Sequence, residues 1–124
     1  MTKLDKNNYY DLEFGDIIKI NFSPSKGHEQ KGYRPGLVLS DPVTQKELNG
    51  IATIVPITSS ISTFFTRVNL DEYKLETKGD ILMDQVKVLD LSKREYEFIE
   101  KAPKTVLSKC NTIFNAIYEK LLDS

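Results

Sequence analysis

One cysteine and one histidine in 124 residues leave this chain short of what disulfide scaffolds and metal centres are built from. Cys110 alone cannot make an internal disulfide, which fits a reducing compartment. His28 and Cys110 are no ligand set for a structural zinc, so any metal would have to be held by carboxylates, and no cofactor motif is present. No apolar run approaches the ~20 residues that span a bilayer. Residues 1 to 14 also lack an apolar signal core, so the expected location is the cytoplasm, with no membrane partner. Neither sign of charge dominates: 17 Lys and Arg against 18 Asp and Glu leave a formal net charge of −1. That balance excludes a protein that coats nucleic acid through overall charge, while allowing a local basic groove. There is no internal repeat and no low-complexity tract.

What is present describes one ordinary domain. A hydrophobic share of 40% and a charged share of 28% are those of a globular chain long enough to bury its own core. Residues 1–13 mix charge with Tyr9 and Tyr10 without a period and form a lead-in whose role is open: a dimer edge, a barrel cover or disorder. After Gly15, Ile18, Ile20 and Phe22 alternate with Lys19 and Asn21, predicting a strand with one buried face. Ser23-Pro24-Ser25 stops it, and a polar loop runs to Arg34. Gly36–Ser40, apolar on both faces, suggests a central strand that ends at Asp41-Pro42. Asn49-Gly50 marks a turn before a strand over Ile51–Ile57. Pro56 lacks an N–H, so that strand is expected to be finishing as Thr58 arrives. Thr66, Val68 and Leu70 point inward on the next strand, Lys78-Gly79-Asp80 is a turn, and Ile81–Leu89 forms a last long strand interrupted by Asp84-Gln85.

Beyond residue 90 the period changes. Ser92-Lys93-Arg94-Glu95 has the form of a capping box, predicting a short helix to about Glu100. Pro103 fits the first turn of a second helix, on which Val106, Leu107, Cys110, Ile113, Phe114, Ile117 and Leu121 recur at three and four. Cys110 lies in that stripe as core filler. The sum is an α+β domain: a small antiparallel barrel over 15–90 and helices over 92–122.

The loop Gly27-His28-Glu29-Gln30-Lys31-Gly32-Tyr33-Arg34-Pro35 gathers the only histidine, an acid, an amide, two cations and an aromatic ring. Arg34 offers a fixed fork of donors suited to phosphate, and its charge does not titrate away. Its bland alternative is a structural salt bridge. His28 and Glu29 are each possible proton acceptors, the imidazole having the more convenient ordinary pKa of ~6.5; equally they are a loop-packing ring and a solvated acid. Thr58, Ser59 and Ser60 place three hydroxyls where the chain leaves a strand, and turn capping alone would explain them. Asp84 and Gln85, polar in an apolar stretch, either brace a neighbouring loop or face a cleft.

Gly15-Asp16-Ile17, the 27–35 loop leading into Leu37-Val38-Leu39-Ser40, Val55-Pro56-Ile57-Thr58-Ser59 and Asp84-Gln85-Val86-Lys87 together resemble the MazF/PemK toxins, ribonucleases of bacterial toxin–antitoxin pairs. The likeness runs from about Gly15 to the C-terminus. It implies a five- to six-stranded antiparallel SH3-like barrel with a C-terminal helix, of the CcdB/PemK kind. It also implies a homodimer whose barrels form RNA grooves, and metal-independent cleavage of single-stranded RNA by the ribose 2′-hydroxyl. The products would be a 2′,3′-cyclic phosphate and a 5′-hydroxyl. By motif, Arg34 and Thr58 match the catalytic arginine and threonine, His28 and Asp84 match positions used by members of the Kid type, and Glu29 matches an acid near the site. The expected RNA contacts are Lys26, Gln30, Lys31, Tyr33, Ser59, Asp84, Gln85 and Lys87. The expected partner is a cognate antitoxin with an acidic, partly disordered segment, the complex binding DNA through the antitoxin.

The chain departs from the Kid arrangement at Leu82, where those members place an arginine. Only Lys26, Lys31, Arg34, Arg67 and Lys87 are candidates for a local basic rim. Two other functions fit the same architecture: a non-catalytic protein binder like the gyrase poison CcdB, and a degenerate toxin that only binds its antitoxin.

Overall fold

The computed structural model describes residues 6–23 and 32–123, with side chains as far as Glu119. Strand β1, Asp16–Asn21, pairs antiparallel with β2, Tyr33–Val38, in the register Ile17 to Leu37 and Ile20 to Arg34. β2 pairs in turn with β3, Ile51–Thr58, from Val38 opposite Ile54 to Gly36 opposite Pro56. The Asn-Gly turn before β3 is as expected, with Asn49 at φ 53° and Gly50 at φ 106°.

Pro56 is buried inside β3 rather than at its end. The strand tolerates it because its partners change there. Residues 51–54 pair with β6, Lys87–Asp90, and Ile57 and Thr58 with β5, Asp80–Leu82, leaving residue 56 bonded only towards β2. β4, Arg67–Asn69, pairs with β5, and its inward Val68 with flanking Thr66 and Leu70 is as the alternation predicted. Among the described residues the order is β4-β5-β3-β2-β1-β7, where β7 is Tyr96–Lys101, with β6 on β3, an antiparallel sheet of seven strands whose edges do not meet.

The seventh strand corrects the sequence reading. β7, Tyr96–Lys101, stands where a short helix was expected, and pairs with β1. Ser92 does not cap a helix: its N–H and hydroxyl both donate to Asp90 Oδ1, at 3.0 and 2.6 Å. The residues that follow alternate Tyr96 and Phe98 onto one core, and pairing with β1 overrides the local helix signal. A second correction is α1, Pro42–Glu47, in what looked like a strand terminator. Asp41 caps it by accepting from Thr44 N at 2.8 Å, and Pro42 fits its first turn.

Two cores result. Ile17, Leu37, Val55, Ile57, Ile81 and Met83 line the face covered by α2, Lys104–Asp123, through Val106 and Cys110. Ile18, Ile20, Val38, Ala52, Ile54 and Leu89 line the other. β1 is therefore buried on both faces, not one, since Ile17 serves α2 while Ile18 and Ile20 serve the second core. Cys110 is core filler as read: burial pushes its thiol up to about 12.

The lead-in covers the second core. Leu12 is fully buried there, Tyr9–Asp11 forms one 3-10 turn, and the buried Gln45 of α1 donates to Tyr9 O at 2.6 Å and Leu12 O at 2.8 Å. Lys6 Nζ reaches the buried Asp16 carboxylate at 2.7 Å.

Candidate functional site

Arg34 lies within β2, not in a loop before it, and is exposed. Its backbone pairs with Ile20 on the β1 side. On the other side the β2–β3 ladder ends at Gly36 opposite Pro56. Two residues further along each strand in the same register stand Arg34 and Thr58, on the face that Gly36 and Pro56 share. Thr58 ends β3 half-buried, and on its opposite edge it pairs with Asp80 of β5. The two strongest candidates thus flank the place where β2 and β3 part.

Glycine governs that place. Gly79 has φ 103°, and a Cβ there would run into the carbonyl oxygen of Thr58. Its N–H donates to Asp71 Oδ1 at 2.8 Å and its carbonyl accepts from Leu70 N at 2.8 Å. Glycine alone lets β5 enter so close to Thr58.

After Thr58 the chain forms a held loop. Thr58 Oγ1 accepts from Ser60 N at 3.2 Å, the hydroxyl turn anticipated from the sequence. Ser59 and Ser60 are exposed. Arg67 Nη1 donates to Ser60 O at 2.8 Å and meets Asp80 Oδ2 at 3.4 Å. Arg67 is therefore engaged in the loop and is not a free member of a basic rim. Asp80 is fully buried and also accepts from Ser62 N and from Asn69 Nδ2, each at 2.9 Å. Burial pushes its carboxyl up, but the Asn69 amide, the Ser62 N–H and the Arg67 guanidinium outweigh burial and hold it below the ordinary value of 3.8. Sequence reasoning took Asp80 for a turn residue. The signal it carried was an acid at the head of the apolar run Ile81-Leu82-Met83.

The other expected contacts scatter more widely. Asp84 and Gln85 do not interrupt a long strand. They are exposed in the turn between β5 and β6, where Gln85 N donates to Leu82 O at 2.9 Å. Lys87 is exposed beside Ile54, about 13 Å along β3 from Thr58. Tyr33 is half-buried opposite Asn21; burial first, then the charges of Glu95 and Glu97, raise its hydroxyl pKa, so its surroundings are acidic. Leu82 is buried across from Arg67. Lys26, His28, Glu29, Gln30 and Lys31 lie outside the described residues. Their stem is fixed nonetheless: Phe22 N donates to Gly32 O at 2.8 Å, and Arg94 Nη1 donates to Asn21 O at 2.7 Å and Ser23 O at 3.3 Å.

Among the described residues no cluster of three His, Cys, Asp or Glu could hold a metal ion. An apolar depression lined by Phe14, Leu39, Met83, Cys110, Asn111 and Phe114 contains none of the candidates.

Comparison with known proteins places the chain in a family. A family model for the PemK-like, MazF-like toxin of type II toxin-antitoxin system matches residues 13–118. Endoribonuclease PemK of Escherichia coli is 30% identical over 102 residues, 80% of this chain and 76% of the relative. Endoribonuclease toxin ChpB of Escherichia coli K12 is 31% identical over 115 residues, 88% of this chain and 96% of the relative. Among solved structures, Form-II of MazE-MazF from Deinococcus radiodurans has a TM-score of 0.76 at 30% identity, covering 87% of this chain and 96% of that one.

Proposed function

Because the chain belongs to the PemK-like, MazF-like toxins of type II toxin–antitoxin systems, we propose that it is an endoribonuclease toxin that cuts single-stranded RNA and is neutralised by a cognate antitoxin. The observation that carries this reading is that Arg34 and Thr58 each stand two residues beyond the last β2–β3 pair, Gly36 with Pro56, where the two strands part. The endoribonuclease names of the relatives support it, and MazE-MazF among the similar structures supports the antitoxin partner.

Cleavage by an adjacent ribose 2′-hydroxyl needs a base, a stabiliser for the crowded anionic phosphorus and a proton for the departing 5′-oxygen. In this proposal Arg34 stabilises the phosphorane with its guanidinium fork and hydrogen-bonds the departing 5′-oxygen as that oxygen takes a proton from solvent, while Thr58 donates its hydroxyl to a non-bridging oxygen. Thr58 Oγ1 already accepts from Ser60 N, which leaves its own O–H free to donate outward. His28 or Glu29 is the base. The bond from 2′-oxygen to phosphorus forms as the bond to the 5′-oxygen breaks, giving a 2′,3′-cyclic phosphate and a 5′-hydroxyl without a metal. The protein works as a cytoplasmic homodimer, its RNA path running past Ser59 and on towards Asp84, Gln85 and Lys87.

The test is incubation of the purified protein with mixed-sequence RNA in EDTA, followed by mapping of 5′-hydroxyl ends. Discrete EDTA-resistant cuts at a short recurring sequence are expected. A folded sample that makes none contradicts the nuclease and supports a protein-binding toxin or a degenerate one that only binds its antitoxin.

A further inference from the structure

Asp80 is the first residue of a three-residue strand buried at every position, and the only one of the three that carries charge. Burying a carboxylate is costly, and apolar side chains in place of a buried ion pair often serve stability as well or better. The fold alone therefore gives no reason for an acid here. Its partners do. Asp80 Oδ2 takes the Ser62 N–H and faces Arg67, Oδ1 takes the Asn69 amide, and Arg67 ties the Ser60 carbonyl with the same nitrogen that meets Asp80. Arg67 N also donates to Phe64 O at 3.0 Å. All of these bonds but the Asn69 one bear on the loop that follows Thr58, and Asp80 is itself the strand partner of Thr58. The loop needs such fastening because it carries Ile61, Phe64 and Phe65 outward, each more than half exposed, and so has little apolar burial of its own to hold it.

We propose that Asp80 and Arg67 form a clamp that positions Thr58 and the Ser59–Thr66 loop for RNA cleavage, so that both are positioning residues for a reaction neither touches. This rests on the ribonuclease reading above. With the clamp closed, the loop backbone at Ser60 is fixed by Arg67, and Ser60 N in turn fixes the Thr58 hydroxyl. Without the charge on Asp80, the guanidinium loses its counter-ion and the Ser62 N–H keeps at best a weaker, neutral acceptor. The Thr58 hydroxyl then samples orientations that do not meet the phosphate, and a misplacement of that kind costs on the order of ten- to a hundredfold in rate.

The experiment measures kcat and KM for RNA cleavage by the full chain, Asp80→Asn, Arg67→Gln and the double variant, at a temperature where circular dichroism shows each fully folded. The expected result is a kcat about tenfold lower in each single variant with KM within about threefold. The double variant should fall no further than the singles, because both break one unit. A purely structural clamp would lower the melting temperature and leave kcat per folded molecule unchanged, and that overturns the inference while the nuclease reading stands. Additive losses in the double variant overturn it as well. If Asp80→Asn does not fold, Arg67→Gln decides alone, since it leaves Asp80 its Asn69 and Ser62 partners. A wild-type protein that makes no cut overturns the nuclease reading, and this inference with it.

Discussion

Thr58 is the strand partner of Asp80 on β5, and it lies two residues beyond the last β2–β3 pair, as Arg34 does on β2. On one side is a buried acid with its own cation, on the other an exposed cation. Because Arg67 pairs with Asp80, the buried acid is neutralised locally and does not oppose a phosphate approaching Arg34.

The close approach at Gly79 makes even a single methyl costly. Gly79→Ala places a Cβ against the Thr58 carbonyl at a backbone angle that side chains rarely adopt. Strain of that kind costs about 1–3 kcal/mol, and here it must be relieved by moving Thr58. Chemical denaturation should show a loss in that range or above it, and cleavage should fall further than the loss of folded protein explains.

Gln45 ties the lead-in to the domain. Its amide serves two backbone carbonyls, Tyr9 O and Leu12 O, from a fully buried position. Gln45→Leu keeps the volume but leaves Leu12 O without that donor, at about 1–3 kcal/mol, and leaves Tyr9 O only the 3.4 Å bond from Leu12 N, at a smaller cost. The expected outcome is a stability loss of about 2–4 kcal/mol in urea, together with faster proteolysis near Tyr9. Unchanged proteolysis would show that the lead-in is held by other contacts.

The acid limb of stability should report Asp80. Its carboxyl is held below 3.8, so its bonds contribute fully above that value and are lost as pH falls through the lower folded-state pKa. The stability gap between wild type and Asp80→Asn should stay constant from about pH 7 to pH 5 and shrink below about pH 4. A gap that instead widens with acid would mean that Asp80 is not the group held down.

Much of this was legible in the sequence where one periodic signal decided the element. β1 and β4 followed from alternation, β3 from its β-branched run between turns, the Asn49-Gly50 turn from its dipeptide, and α2 from apolar spacing after Pro103. What failed were places where distant pairing decides. Ser92–Glu95 is a sound capping box locally, yet β1 recruits Tyr96–Lys101 as a strand. Asp41-Pro42 is as good a helix start as a strand stop, and only Gln45 reaching Tyr9 and Leu12 shows which. Arg34 and Thr58 were visible by residue type and motif, but that both lie just past the end of the β2–β3 ladder is a matter of register. Asp80 was invisible as a functional candidate because its partners Asn69, Ser62 and Arg67 lie 11 to 18 positions away.

The central claim is that Arg34 and Thr58 act together on RNA. Both sit at positions where truncation is cheap: Arg34 is exposed in its strand, and Thr58 stands to lose one hydrogen bond worth about 1 kcal/mol. The deciding measurement is single-turnover cleavage of RNA in EDTA by wild type, Arg34→Ala and Thr58→Ala, with melting temperatures recorded alongside. The account predicts cuts ending in 5′-hydroxyls from the wild type, and rates at least about a hundredfold lower from both variants with near-native melting. A folded Arg34→Ala protein that cuts at the wild-type rate would contradict it.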